Sequence, residues 1–323
     1  MPRMFPVSTA VLVLLAVPGA ASSDELPRNW PMAPSELEMR FAQQPFKILE
    51  VKSAGAGVTG ASKLEIEYPD KTVLKVKWKA VPPKSADGWN NSPRKEMATY
   101  AIQRWFVDEN DYMVPTIAPH CLDLETAKTI NSGAKPNVKG AACELGILAV
   151  WMEDVTVPDS IYDEKRFASD PLYARYMADF NLLGYLVDHR DGRKGNVLLS
   201  TDAADPRVYA VDNGIAFDPF PWNFLVPNWN KIRVPWLRRE SIERLRKIDE
   251  DQFKDLGVLV ELEADEHGRF RMVPPGRNID DDKGVRVRGN RMQFGLTDDE
   301  IEDLEDRVED LLDDVDSGKQ AVR

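Results

Sequence analysis

Residues 187–199 read VDHRDGRKGNVLL, which places Asp191 and Asn196 in D-x4-N spacing within a basic, glycine-containing segment directly ahead of an apolar run. Taken alone this is what an exposed turn prefers, because Gly tolerates positive φ and Asx side chains bond nearby backbone. The same spacing belongs to the loop that presents an acceptor hydroxyl and a metal in phosphoryl transfer. What flanks the stretch has to decide between the two.

Upstream, LYARYMADFNLLGYLVDH predicts a strongly apolar helix that delivers the chain into the loop. Downstream, VYAVDNGIAF predicts a short strand ending at Asp212, with Gly214 behind it as in a D-x-G motif. Nearer the N-terminus, Leu64, Ile66 and Tyr68, then Leu74, Val76 and Trp78, alternate with polar residues. Period two means strands, joined by a tight turn at YPDK. Between an earlier strand, FKILEVKS, and these two lie Gly55, Gly57 and Gly60 in GxGxxG spacing. A dinucleotide fold needs a helix directly after such glycines, and here a strand follows. A plain hairpin loop and a glycine loop over ATP phosphates both remain open.

Ser92 as N-cap and Pro93 in the first turn predict a helix running to about Val107, with Glu96 near its positive end. Lys79 closes the strand LKVKWK on the face opposite Leu74, Val76 and Trp78, a parity that Lys75 and Lys77 share. The order is then glycine loop, strand lysine, helix glutamate, Asp, Asn and a second Asp. Phosphoryl transfer from ATP requires those parts, since its catalysis is positioning plus neutralisation of phosphate charge. Lys79 would contact phosphate, Glu96 would hold Lys79, Asp191 would orient the acceptor, and Asn196 and Asp212 would hold the metal.

The segments VKWKAVPP, NNSPRKEMATYAIQRWF, GILAVWMED and VDNGIAF resemble the secretory-pathway (Golgi) casein kinase family and its bacterial exported relatives, over roughly Phe46 to Phe217. VDNGIAF is the most specific of them. The resemblance implies an α+β, protein-kinase-like two-lobed fold, with Lys79, Glu96 and Asp212 as the ATP lysine, its glutamate partner and the metal-binding aspartate. It also brings in a competitor: the family's catalytic Asp directly follows an apolar helix end, which favours Asp188, whereas the spacing to Asn196 favours Asp191. Relatives can carry an acidic residue in place of the loop Asn.

The chain has 323 residues, 43% hydrophobic and 30% charged, with a formal net charge of -12. That balance argues against a nucleic-acid partner, which needs a concentrated basic face. Residues 1–22 read as a signal peptide, with Arg3, an apolar run from Val7 to Val17, then small residues to Ala21 and Ser22. The run is too short to span a bilayer, so no stable membrane span is expected after cleavage. Export to a periplasm or the exterior favours a bridge between the two cysteines, Cys121 and Cys143. His120 is expected in a loop. The lobes are expected at 23–150 and 151–323, and the acidic C-terminal helix carrying Ile301, Leu304, Val308 and Leu311 is expected to present its carboxylates to solvent.

The function expected is an exported kinase that uses ATP with Mg²⁺ or Mn²⁺ and phosphorylates a hydroxyl of a protein, a sugar or a small molecule. A nucleotide-binding module without turnover and an AMP transferase on the same fold are the alternatives.

Overall fold

The alternating apolar residues form one face of an antiparallel sheet. The computed structural model describes residues 29–53, 61–81, 92–217 and 229–323. Residues 1–22, expected to be a signal peptide, and the glycines Gly55, Gly57 and Gly60 lie outside them. Helix α1 (Pro34–Gln43) comes first, then strands β1 (Lys47–Ser53), β2 (Ser62–Glu67) and β3 (Val73–Ala80). Helix α2 (Pro93–Gln103) follows, then β4 (Ile117–Asp123), α3 (Leu124–Ile130) and β5 (Cys143–Val150). The sheet order is β1-β2-β3-β5-β4.

Leu64 pairs with Val76 and Ile66 with Leu74 across β2 and β3, and these side chains are buried together with Leu37 and Phe41 of α1. So α1 covers one face of the sheet, and β3 turns Lys79 to the other, where α2 packs. Period two thus decides which residue becomes core and which becomes site. Gly146 on β5 lets the Trp78 ring lie flat against the strand, since a Cβ there would come within 2.4 Å of it.

A disulfide joins Cys121 on β4 to Cys143 on β5, with Cα atoms 5.6 Å apart. His120 is therefore a strand residue. Its Nδ1 lies 2.8 Å from the Phe41 carbonyl, and burial lowers its pKa below the usual histidine value. Alternating polar residues are easily taken for a loop when both strand faces are partly covered.

The second half is built on helices. Strand β6 (Val155–Thr156) and helix α4 (Glu164–Ser169) lead to α5 (Pro171–Leu186), whose N-cap Asp170 accepts from Leu172 and Tyr173 backbone amides. Strands β7 (Val197–Ser200) and β8 (Val208–Ala210) complete a small sheet in the order β6-β7-β8. β8 stops short of Asp212, whose φ of 60° cannot continue a strand. Helices α6 (Arg239–Leu245) and α7 (Glu250–Asp255) precede four strands, β9 (Val260–Ala264), β10 (Phe270–Val273), β11 (Val285–Arg288) and β12 (Arg291–Phe294), in the order β10-β9-β12-β11.

Helix α8 (Asp298–Asp316) ends the fold and is opened by a capping box between Thr297 and Glu300. Its Leu304, Val308 and Leu311 are buried, as the periodicity requires. Most of its carboxylates face solvent, but Glu300 turns inward and pairs with Arg94 of α2. The carboxyl-terminal sheet also touches the first one: Ala142 N–H donates to the Gly268 carbonyl, and Phe270 N–H points at Cys121 Sγ. Among the described residues no helix is long and apolar enough to cross a membrane.

Candidate active site

Lys79 is the centre of the charged cluster between the halves. Its ammonium lies 2.5 Å from Glu96 Oε1 and 3.2 Å from Asp212 Oδ1, and its side chain is only 1% exposed. Burial alone would lower its pKa, but Glu96 and Asp212 outweigh that and raise it, so the lysine stays charged. Helix α2 supplies Glu96 from its first turn; it packs on β4 and ends at Gln103, earlier than the expected Val107. Residues 104–107 form turns, with Phe106 and Val107 amides bonding back to Gln103.

Asp212 accepts from a second lysine. Lys77 Nζ is 3.3 Å from the same Oδ1 and is more exposed than Lys79, at 21%. Burial would raise the Asp212 carboxyl, but the two lysines bring it down to about 2. Its left-handed backbone turns the carboxylate out of β8, a conformation Asp tolerates better than most residues. The residues that follow pack under α2: Ser92 N–H donates to the Gly214 carbonyl and Lys95 Nζ to the Phe217 carbonyl.

The stretch 187–199 is a loop from α5 into β7. Asn196 Nδ2 donates to both the carbonyl and Oδ2 of Asp191, each at 2.9 Å. Arg193 grips the same carboxylate with two bonds, Nε to Oδ1 at 2.7 Å and Nη2 to Oδ2 at 2.6 Å. Asp188 is held elsewhere. It sits at φ 46°, and its carboxylate accepts from Arg190, from Asn230 at 2.8 Å and from Arg307 of α8 at 3.1 Å. His189 between them is buried, which lowers its pKa and keeps it neutral, and its backbone bonds Gly184 and Trp229.

Lys77, Glu96, Arg193, Asn196 and Asp212 border a cleft of about 920 Å³, with Lys79 buried behind them. Ala61 and Lys77 line it from the first sheet, Val150 and Met152 from the connecting segment, and Leu198 and Val211 from the small sheet. Glu96, Arg193, Asn196 and Asp212 line its polar end. Asn29 fixes the connecting segment by donating to the carbonyls of Glu153 and Asp154. Asp188 and Asp191 do not line the cleft, although Asp191 touches two residues that do. Among the described residues no group of three or more His, Cys, Asp or Glu side chains converges as a metal cage.

Arg193 and Lys77 are absent from the residues singled out by spacing. Arg193 follows Asp191 by two positions, a separation that in an extended loop brings a long side chain back onto its neighbour. Lys77 had the right strand parity all along.

No protein-family model matches the chain, and no curated protein matches it in sequence. Solved structures do. Hydra Fam20, a member of the Golgi casein kinase family whose structure was determined with sugar, superimposes with a TM-score of 0.52 at 13% identity, covering 91% of this chain and 99% of its own. A MAP kinase from Leishmania major aligns over 57% of this chain and 50% of its own, with a TM-score of 0.28 and 16% identity. The mixed α/β architecture with a strand-rich first half, and its superposition on Fam20 along nearly the whole length, make this a protein-kinase-like fold.

Proposed function

We propose that this chain is an exported kinase that transfers the γ-phosphoryl group of ATP, with Mg²⁺ or Mn²⁺, to a hydroxyl of a protein or small molecule. The observation that carries the reading is the convergence of Lys79 with Glu96 and Asp212, the two acids sharing the polar end of a cleft with Asn196 and Arg193. The apolar cleft between Ala61, Val150, Met152 and Leu198 suits a flat base, and the charged end suits its phosphates.

Each residue then has a task. Lys79, held by Glu96, donates to phosphate oxygens. Arg193 offers a second cation to the transferring group. Asp191 takes the acceptor proton: the hydroxyl oxygen bonds to the γ-phosphorus, the bond to ADP breaks, and the proton leaves to Asp191 Oδ1, which keeps a lone pair beside its bond from Arg193. Asp212 and Asn196 are the residues that would hold a divalent cation. The ionised carboxylate and the amide oxygen are the hard donors such a cation takes, phosphate and water completing the shell. When bound, the cation neutralises phosphate charge. Asp188 is the alternative proton acceptor; Asp191 is preferred because its carboxylate contacts Arg193 and Asn196, which line the cleft, whereas that of Asp188 is held by Asn230, Arg190 and Arg307, which do not.

The disulfide supports an oxidising destination, and the likeness to a Fam20 structure supports a secretory setting. Incubating the mature protein with γ-labelled and α-labelled ATP and each metal tests the reading. Transfer of the γ label to a hydroxyl acceptor is expected. Transfer of the α label alone would make the protein an AMP transferase, and binding without transfer would make it a nucleotide-binding module.

A further inference from the structure

Helix α2 carries three buried charged residues in succession, Arg94, Lys95 and Glu96, and only the last faces the cleft. The other two are gathered by the carboxyl-terminal part of the chain. Arg94 forms a two-point pair with Glu300 of α8, its second nitrogen 3.0 Å from Oε1, and also reaches the Gly295 carbonyl. Lys95 Nζ is 3.8 Å from the same Oε1. Glu300 is only 12% exposed and is itself fixed by accepting from the Thr297 amide in the capping box.

The socket is shaped for this guanidinium. A Cβ on Gly284 would fall 2.2 Å from Arg94 Nε, so only glycine leaves room for the side chain to pass to Glu300. The helix that presents Glu300 continues to Arg307, which bonds Asp188 at the start of the catalytic loop. One helix therefore contacts both α2 and the loop that leads into β7.

We propose that Glu300 is a positioning residue for the nucleotide site: by holding Arg94, it fixes the first turn of α2 and with it the pairing of Glu96 to Lys79. The inference rests on the kinase reading of the cleft. Its physical basis is that α2 in kinase-like folds works only when its glutamate meets the strand lysine, and movement of that helix is a common means of switching. A buried two-point ion pair on the neighbouring turn resists such movement, because parting the two charges would leave each desolvated. This helix is thus held in its paired position by the chain's own carboxyl-terminal helix, without a partner protein or a modification.

The test measures affinity for a non-hydrolysable ATP analogue with Mg²⁺ in the full mature chain. Glu300→Gln keeps the capping box and removes the charge, and Gly284→Ala displaces Arg94 without touching Glu300. Each is expected to weaken binding roughly three- to thirty-fold, the range found for residues coupled to a site at a distance. Asp316→Asn breaks an exposed ion pair at the far end of α8 and should leave affinity unchanged.

The deciding comparison is a double-mutant cycle. In a Glu96→Gln background, Glu300→Gln should cost little more, because both act through the same contact. Unchanged affinity in Glu300→Gln, or losses that simply add to those of Glu96→Gln, would overturn the inference while leaving the kinase reading intact. A wild-type protein that binds no nucleotide would overturn both.

Discussion

Asn196 bonds Asp191 twice, through its backbone carbonyl and its carboxylate, so the two ends of the D-x4-N spacing hold one another. In the proposed mechanism the amide that would offer its oxygen to a metal is the same group that would aim the proton acceptor. Losing it should disturb both tasks, whereas the two aspartates fail separately.

Asp212→Ala is expected to lose metal-dependent nucleotide binding. Asp191→Ala should bind nucleotide and metal nearly as wild type yet transfer phosphate roughly 10²- to 10⁴-fold more slowly, as for a lost general base. Calorimetric binding alongside single-turnover transfer checks the split. Full transfer activity in Asp191→Ala would remove this residue from the mechanism.

Asp188→Ala should chiefly cost stability. It leaves Arg190, Arg307 and Asn230 without the carboxylate they share at a partly buried point. A loss on the order of 2 to 4 kcal/mol in urea unfolding is expected. If Asp188→Ala kept wild-type stability but lost transfer, the proton-accepting role would pass to it from Asp191.

Lys79→Ala and Glu96→Gln should each weaken nucleotide binding strongly, because the survivor of a buried pair is left desolvated; breaking such pairs costs about 3 to 5 kcal/mol. Lys77→Ala should do much less, since Lys77 is more exposed and Lys79 continues to hold Asp212. Loss of binding in Lys77→Ala with retention in Lys79→Ala would reverse the two assignments.

Asp179 gives the protein a pH signature away from the cleft. Burial raises its carboxyl to about 6, although Ser241 and Arg238 bond it. An acid with a raised folded pKa binds its proton more tightly when folded. Its contribution to stability is therefore fully present below about pH 4, the unfolded value, and is lost as pH rises through about 6. Relative to wild type, Asp179→Asn should gain stability between pH 4.5 and 7.5, by on the order of 2 kcal/mol. Parallel pH profiles of urea unfolding for the two proteins would count against it.

Removing the Cys121–Cys143 bridge by serine substitution should cost roughly 3 kcal/mol, from a sequence separation of 22 residues. Two free thiols in the unreduced protein would show that the bridge does not form in solution.

Strands β2 and β3 and helix α5 were legible because burial on one face writes itself as period two or as a long apolar run. Lys79 and Glu96 were legible through strand parity and helix start. What stayed hidden depended on distant parts of the chain. Helix α1 follows a Pro-rich run, and β4 carries His120 and Pro119 where a strand would show alternation. Strand β11 is set by its pairing with β12. The turn inward of Glu300 could not be told from a helix full of solvated carboxylates, since nothing local marks the residue that meets Arg94. The end of β8 before Asp212 likewise follows from a left-handed backbone at Asp212 that no local residue type announces.

The pairing of Arg94 with Glu300 also sets an order of assembly. A chain made from its N-terminus must wait 206 residues before the partner of Arg94 exists. Until then Arg94 is without the two-point grip of Glu300, and the first sheet lacks the strand that leans on its edge at Cys121. Nascent chains cut short before α8 should therefore hold α2 less firmly and, on the kinase reading proposed above, bind nucleotide more weakly than chains that include it.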